Sequence, residues 1–231
     1  MFGLFRNNKT YVQKAFYTFC PRFIFKLDPH KNRERGHWSS QGPGDPYGYD
    51  KYENLNSTHT STLFNEIDAR MVKDDPMLDL GCNCGYTLNE LKKRGYKNLC
   101  GIDICAGAIE HGRKRYDLND IELNIGSFES VLPRFVDEKR KFGMVFSGGA
   151  SISLVHPSFD IVKYICAISR KYVVFVDEDS LGLLYPRLWE YEFYRNGFRL
   201  VKFLRPSDGS IRESGKNDVS SIAVYQRIGE E

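Results

Sequence analysis

The sequence predicts an α/β fold: a doubly wound, mostly parallel sheet of seven strands that ends in an antiparallel strand pair. From residue 75 onward, short apolar runs alternate with helical patterns, which is typical of parallel strands joined by helices. The last two apolar runs are joined by a polar loop with no room for a helix, so they should pair antiparallel. A chain of 231 residues, 41% of them hydrophobic, can bury the core of one such domain.

The amino-terminal part differs from the rest, and we divide the chain into an extension and lid (residues 1–55) and a main domain (residues 56–231). From residue 9 to 27 aromatic and basic residues interleave, and Pro21 interrupts any single helix. Residues 28–52 are rich in glycine and proline and should form a loop, which we call the lid. Its aromatic residues, which could wall a pocket or form a packed aromatic edge, are Trp38, Tyr47, Tyr49 and Tyr52.

A helix should follow, capped near Ser57 or Thr58 and running toward Met71. The parallel strands are predicted at residues 77–80, 99–104, 121–125, 143–147 and 172–177. The helices between and after them are predicted at residues 86–94, 106–116, 128–136, 158–169 and 184–195. The antiparallel pair is predicted at residues 198–204 and 219–227.

Charge is distributed unevenly along the chain. The net formal charge is only +3, which does not suit a dedicated nucleic-acid binder, so a nucleic-acid partner is not expected. Residues 1–35, however, hold eight Lys or Arg residues against two acidic ones. Three interpretations stay open: peripheral membrane contact through residues 1–27, contact with a protein or RNA, or an arm packed across the domain with its aromatics buried.

No run approaches the roughly 18 apolar residues of a membrane-spanning helix, and the first ten residues lack the features of a signal peptide. A cytoplasmic location is therefore expected, with membrane association left open. The six cysteines fall in apparent core strands and turns of a chain longer than the usual disulfide scaffold, so free thiols are expected.

The first predicted strand leads into a loop suited to a nucleotide-type ligand. It ends at Asp79, and Gly81 and Gly85 then let the backbone approach a ligand before a helix begins. A dinucleotide fingerprint would need a third glycine at the position of Tyr86, so the spacing disfavours a nicotinamide dehydrogenase.

This loop resembles the first motif of the class I S-adenosylmethionine-dependent methyltransferases, an acidic residue and an apolar residue followed by Gly-x-Gly-x-Gly. Asn83 replaces the middle glycine, and asparagine tolerates left-handed backbone better than most residues. The resemblance covers about residues 75–228 and implies S-adenosyl-L-methionine as cofactor. The cofactor-binding residues it implies are Asp79, Gly81, Asn83, Gly85, Asp103, Ile104, Ser127, Phe128 and Ser147.

Within the resemblance these residues have different expected roles. Asp103 ends the second strand, where a carboxylate would accept both ribose hydroxyls. Ile104, Ser127 and Phe128 would contact the adenine, and Ser147 would lie at the methyl-donor end. From the residues alone, Asp79 and Asp103 could instead cap a turn or form a salt bridge, and Ile104 and Phe128 could be ordinary core residues.

Methyl transfer to oxygen or nitrogen usually needs a base, and the candidates are His156 after the fourth strand and Asp177 at the end of the fifth. His156 could equally begin the next helix, and Asp177 could belong to a solvated acidic rim. No metal is expected, because Ser147 stands where metal-dependent relatives carry a carboxylate, and the cysteine spacing matches no standard zinc site.

The turn from Ser147 to Ala150 lacks the prolines and aromatic residue typical of relatives that methylate exocyclic amines of nucleic acids or glutamine, and also the cysteine of those that methylate cytosine carbon. The expected acceptor is therefore an oxygen or nitrogen of a small molecule, a saccharide or a lipid-linked molecule. RNA or protein methylation, and a degenerate protein that only binds the cofactor, remain alternatives. The sequence does not indicate the oligomeric state.

Overall fold

The computed structural model describes residues 8–29, 31–45, 48–52, 58–178, 185–204 and 220–230. Seven strands form one sheet in the order β3-β2-β1-β4-β5-β7-β6. The strands are β1 (Met77–Leu80), β2 (Leu99–Asp103), β3 (Glu122–Ile125), β4 (Phe142–Ser147), β5 (Ser169–Glu178), β6 (Phe198–Leu204) and β7 (Ser220–Arg227). The α-helices are α1 (Asn8–Phe19), α2 (Arg22–Phe25), α3 (Arg33–Ser39), α4 (Thr58–Asp68), α5 (Tyr86–Lys93), α6 (Ala106–Tyr116), α7 (Phe128–Asp137), α8 (Ile161–Ile168) and α9 (Trp189–Arg195). Two 3₁₀ helices cover Tyr49–Tyr52 and Ala150–Leu154.

The strand order confirms the doubly wound sheet. Strands β1 to β5 pair in parallel, and β1 lies between β2 and β4. The chain therefore moves outward from β1 to β3, returns to the far side of β1 at β4 and continues the other way. The carboxyl ends of β1 and β4 form the switch point, which is where open α/β sheets bind their ligands.

The antiparallel end of the sheet is also confirmed. Strand β7 inserts between β5 and β6 and pairs antiparallel with both. The last strand is thus interior to the sheet, although it comes last in the chain. Its buried residues Ile222, Ala223 and Val224 contribute to both faces of the sheet, as the twofold alternation of a strand requires.

Helices cover both faces, and two hydrophobic cores result. One lies between the sheet and helices α7, α8 and α9, and includes Phe135, Ile165 and Phe193. The other lies beneath α4, α5 and α6, and includes Ile67, Leu88 and Ile109. Because both faces are covered, the strands read in the sequence as continuous apolar runs rather than as alternating ones.

Several observed bounds differ from the sequence predictions, and helix α8, for example, begins at Ile161 rather than at residue 158. Strand β5 begins at Ser169, three residues before the predicted start. The charged residues Arg170 and Lys171 interrupt the apolar pattern from which the strand was predicted. Helix α4 ends at Asp68, short of Met71. Helix α9 begins at Trp189, and the earlier part of its predicted span up to residue 184 lies outside the described residues.

The amino-terminal arm consists of α1 and α2, separated at Pro21 as predicted. Its packing differs from the interpretation in which its aromatics are buried. Phe25 is buried, but Phe16, Phe19 and Phe23 are exposed. No helix in the described part of the chain is long and apolar enough to span a membrane.

Candidate active site

The loop after β1 has the backbone conformation that its glycines predict. Gly81, Asn83 and Gly85 have φ angles of +74°, +50° and +77°, in the left-handed region. Asn83 adopts this conformation with its own side chain as support, because its Oδ1 accepts a hydrogen bond from the Cys84 amide at 2.7 Å. The substitution of the middle glycine is therefore compatible with the turn.

Close packing beneath the loop explains further glycines that the sequence analysis did not single out. A Cβ on Gly112 of α6 would lie 1.8 Å from the Cys84 carbonyl oxygen, and one on Gly101 of β2 would lie 2.7 Å from the Cys82 sulfur. Both glycines interrupt regular elements, where glycine is otherwise unfavourable, and that was the available signal. They let α6 and β2 approach the loop directly.

Two carboxylates meet at the switch point. Asp79 of β1 is only 2% exposed, and its Oδ1 has no hydrogen-bond partner. Burial and the nearby negative charge of Asp103 raise the pKa of Asp79 well above its usual value. A buried carboxylate oxygen without a donor is costly, so this atom is suited to a donor from a bound ligand.

Asp103 is held firmly at the end of β2. Its Oδ2 accepts the Asn83 amide and its Oδ1 accepts the Cys105 amide, both at 2.8 Å. Burial raises the pKa of Asp103, while these two backbone hydrogen bonds act to lower it. The carboxylate thus links the loop after β1 to the start of α6, and each oxygen retains a further lone pair.

The positions expected at the adenine follow in register. Asp103 pairs with Ile125 at the ends of β2 and β3, and the Gly126 amide donates to the Asp103 carbonyl at 2.9 Å. Ile104, Ser127 and Phe128 are all half-buried beside this edge. Phe128 also packs against the core, which is the ordinary structural role that the sequence left open for it.

The segment after the arm crosses this same edge. The Cys105 thiol donates to the Gln41 carbonyl at 3.3 Å, and Arg35 of α3 forms an ion pair with Glu129 of α7 at 3.1 Å. Tyr49 packs on His111, with ring centroids 4.9 Å apart. Gln41 Oε1 is buried and has no hydrogen-bond partner. Tyr47, also predicted to belong to this lid, lies outside the described residues.

Ser147 and Asp177 occupy neighbouring strand ends. Ser147 is fully buried at the end of β4, and its hydroxyl donates to the Gly149 carbonyl at 2.8 Å. It pairs with Phe175 of β5, so Asp177 lies two residues further along that strand, opposite Ser221. The sequence placed both residues at the carboxyl edge of the sheet, and their backbones lie there.

His156 follows the 3₁₀ helix after β4, is 4% exposed and is enclosed by the arm. Its Nδ1 accepts the Ser158 amide at 3.2 Å, which places the ring proton on Nε2, facing Asp28 Oδ2 at 3.3 Å. Phe25 and Tyr185 contact the ring edge to face. Burial lowers the pKa of His156, against the opposing effect of Asp28.

A buried arginine beside His156 was missed by the sequence analysis. The Arg187 side chain is fully buried, and it contacts Glu192 at 3.5 Å and the Val155 carbonyl at 3.1 Å. Arg22 of the arm reaches the same Glu192 at 3.4 Å and also binds Asp160 at 3.1 Å. These ion pairs fix the arm against the chain that follows β4. An arginine between apolar neighbours was the only signal in the sequence.

The central part of the chain matches a known protein family. Residues 77–171 match the model of the methyltransferase domain family. The chain shows no significant sequence similarity to any curated protein.

Solved structures share the fold at low identity. A TehB-like S-adenosylmethionine-dependent methyltransferase from Corynebacterium glutamicum is 16% identical, with a TM-score of 0.57 over 77% of this chain and 91% of that one. A putative methyltransferase in complex with the Haloferax volcanii Trm112 activator is 15% identical, with a TM-score of 0.60 over 79% and 94%. Magnesium protoporphyrin IX methyltransferase from Synechocystis, with bound cofactor, is 13% identical, with a TM-score of 0.57 over 95% and 96%.

Residues 77–171 are thus a methyltransferase domain by sequence, and the sheet topology is that of the Rossmann-like class I methyltransferase fold. The matched domain makes the chain a methyltransferase. A structure that shares its fold, the Synechocystis enzyme, contains bound S-adenosyl-L-methionine.

Proposed function

We propose that the enzyme uses S-adenosyl-L-methionine as its cofactor and transfers the methyl group to an oxygen or nitrogen atom of a small-molecule, saccharide or lipid-linked acceptor. The observation that carries this proposal is the pair Asp79 and Asp103, buried at the switch point beside a loop in left-handed conformation. Burying two carboxylates carries a large desolvation free energy. A ligand with a cationic group and hydroxyl donors would compensate for it.

The residues present fit the cofactor. Asp79 and the loop residues Gly81, Asn83 and Gly85 would hold its amino-acid part, with Asp79 Oδ1 accepting from a donor group. Asp103 would accept the ribose hydroxyls with its remaining lone pairs. Ile104, Ser127 and Phe128 would enclose the adenine, and Ser147 would lie at the methyl-donor end.

The bound cofactor supplies an electrophilic methyl group on a sulfonium. The chain's contribution is to orient the acceptor and to exclude water, since much of the catalysis of a methyl displacement can be positional. Contacts from Gln41 to Cys105 and from Arg35 to Glu129 carry the lid across the cofactor edge. We infer that the lid completes the enclosure, with Gln41 Oε1 as a further acceptor for the adenine amino group.

An enclosed site favours an acceptor that can enter it whole or by one end. On the far side from the lid, the arm contacts the chain after β4 through Phe25 and Asp28. The Synechocystis neighbour is named for the methylation of magnesium protoporphyrin IX, a small molecule, and it aligns over 95% of this chain. That alignment therefore reaches into the arm, and it supports an acceptor of the same general size class.

His156 and Asp177 remain the proposed proton acceptors, and the geometry distinguishes them. With the arm docked, both ring nitrogens of His156 are engaged, by the Ser158 amide and by Asp28. His156 could act as a base only after one contact is released. Asp177 is on β5, the neighbour of the strand that ends at Ser147, and its backbone lies at the carboxyl edge of the sheet where ligands bind. This position favours Asp177 as the base.

Two measurements test the proposal. Isothermal titration should show that the purified chain binds S-adenosylhomocysteine; a folded sample that does not bind it would exclude cofactor use. Cofactor labelled in its methyl group should then be incubated with a host-cell extract, and the label followed into separate small-molecule, glycan, lipid, RNA and protein fractions. Label in any of the first three supports the proposal. Label confined to RNA or protein would replace the acceptor class, and binding without any transfer would indicate a degenerate enzyme.

A further inference from the structure

The outer side of the arm is an exposed apolar surface. Three of its residues, Val12, Phe16 and Phe19, follow one another at helical spacing along α1. We call the whole surface the arm face, and its exposed members are Tyr11, Val12, Phe16, Phe19, Phe23, Ile24 and Leu27, joined by Tyr191 and Tyr194 of α9. The rings of Phe19 and Tyr191 are 4.9 Å apart, which connects the two elements.

This exposure is unusual for the residue types involved. Phe23 is 66% exposed and Leu27 is 79% exposed. Single apolar side chains on a protein surface are normal, but a contiguous group of them often marks a binding site. The inner residues of the arm contact the domain: the Thr18 hydroxyl accepts the Leu188 amide at 2.8 Å, and Phe25 is buried against His156. The other apolar residues of the arm named above face outward.

The charge of the arm selects the kind of partner. Residues 1–27 contain five Lys or Arg residues and no Asp or Glu, and one of the five, Arg22, faces the domain in ion pairs with Asp160 and Glu192. Lys26 on the arm and Arg195 on α9 are exposed next to the apolar residues, and the exposed acidic side chain on α9 is Glu190. Two arm faces brought together would set cationic segments against each other, which disfavours a second copy of the chain as the occupant.

We propose that the arm face binds the surface of a membrane that contains anionic lipid. Aromatic side chains suit the interface between headgroups and acyl chains, and basic residues add attraction to anionic headgroups. The break at Pro21 gives two short helices that can lie along a surface. Peripheral binding of this kind needs no membrane-spanning helix.

The same arm joins this surface to the reaction site, and this step rests on the proposed function. Its inner side contacts the chain after β4, with Asp28 at His156 and Arg22 at the Pro157 carbonyl at 3.0 Å. A membrane bound to the outer side of the arm would therefore be separated from the proposed acceptor site by one layer of helices. The acceptor class that fits is an amphiphilic molecule presented from the lipid surface, such as a lipid-linked saccharide.

Sedimentation with liposomes tests the proposal on the full chain. Vesicles of phosphatidylcholine alone should be compared with vesicles that also contain phosphatidylglycerol, at low and high salt. We expect the double variant F23S/L27S to reduce binding to anionic vesicles by about fivefold or more, and K26E to weaken it as well. The matched control V72S/I228S removes exposed apolar residues elsewhere and should bind like the wild type.

Each other outcome overturns the proposal. Equal binding of wild type and F23S/L27S, equal binding to neutral and anionic vesicles, or no binding at all would do so. Concentration-dependent dimers abolished by F23S/L27S would identify a second copy as the occupant instead. Titration with S-adenosylhomocysteine should be unchanged in F23S/L27S; because it reports on the cofactor site alone, it separates failure of the arm face from failure of the methyltransferase proposal.

Discussion

Asp79 and Asp103 lie at the carboxyl ends of two adjacent parallel strands. Burial raises the pKa of Asp79, and the negative charge of Asp103 raises it further. The free protein therefore holds a proton on Asp79 at pH values where an ordinary aspartate is ionised. A cationic group brought close to this carboxylate favours its ionised form and lowers its pKa again. Cofactor binding and the protonation of Asp79 should be linked.

The first prediction follows from that linkage. Below the raised pKa of Asp79, binding of S-adenosylhomocysteine should release a proton, so affinity should increase with pH until Asp79 is already ionised. Titration calorimetry in two buffers with different ionisation enthalpies measures the number of protons released. In Asp79→Asn this release should disappear. Proton release of equal size in the variant would assign it to another group.

The second prediction concerns Asp103, whose oxygens accept two backbone amides and are proposed to accept the ribose hydroxyls. Charge-assisted hydrogen bonds contribute about 1.5–3 kcal/mol each, so Asp103→Ala should weaken binding at least about tenfold. Asp103→Asn is the matched variant, because it keeps the shape and one acceptor. It should bind with intermediate affinity. An unchanged dissociation constant in folded Asp103→Ala would remove this residue from the site.

The third prediction separates backbone strain from ligand contact. Gly81 and Gly197 both have left-handed φ angles, +74° and +82°, but Gly197 lies in the turn between α9 and β6. Valine at either position should destabilise the fold through strain at positive φ. Gly81→Val should also abolish cofactor binding, whereas Gly197→Val should retain it. Thermal unfolding and titration of both variants make the comparison, and retained affinity in Gly81→Val would contradict the assigned loop.

Much of the sheet could be predicted because its signals are local. The strand before Asp79 and the strand before Asp103 are short apolar runs followed by glycine or helical patterns, and parallel pairing then brings their ends together. The left-handed backbone observed at Gly81 and Gly85 also depends on local information, since glycine adopts positive φ angles without strain.

The arm could not be predicted in the same way, because its position depends on contacts distant in sequence. Arg22 reaches Asp160 and Glu192, which lie 138 and 170 residues further along the chain. Composition showed aromatic and basic residues, but not which of them face the domain. Likewise, His156 looked available in the sequence and is enclosed by Phe25 and Asp28 in the fold.

The fourth prediction distinguishes the two proposed proton acceptors. If Asp177 is the base, Asp177→Asn should lower kcat by about 100-fold or more while cofactor affinity changes little. His156→Gln should then have a smaller effect on kcat, because both its ring nitrogens are engaged by Ser158 and Asp28. Single-turnover transfer from labelled cofactor, once an acceptor fraction has been found, measures both rates. A larger loss in His156→Gln would reverse the assignment.

The last prediction uses the burial of His156 beneath the arm. Burial lowers the pKa of His156 below its ordinary value of 6.5, and the facing charges are Asp28, which raises it, and Arg187 and Lys31, which lower it further. As pH falls below about 6.5 the unfolded chain takes up a proton at this residue, while the folded chain stays neutral until its lower pKa. The free energy of unfolding should therefore decrease on acidification across that window.

Urea unfolding of wild type and His156→Gln at pH 7.5 and 5.5 tests this sign. The wild type should lose more stability than the variant between the two pH values. Buried carboxyls with raised pKa values, such as Asp79 and Glu192, contribute with the opposite sign, but they are common to both proteins and cancel in the difference. Asp28→Asn removes the group that raises the pKa of His156, so it should increase the loss. Equal losses in wild type and His156→Gln would show that His156 does not contribute to the pH dependence of the free energy of unfolding.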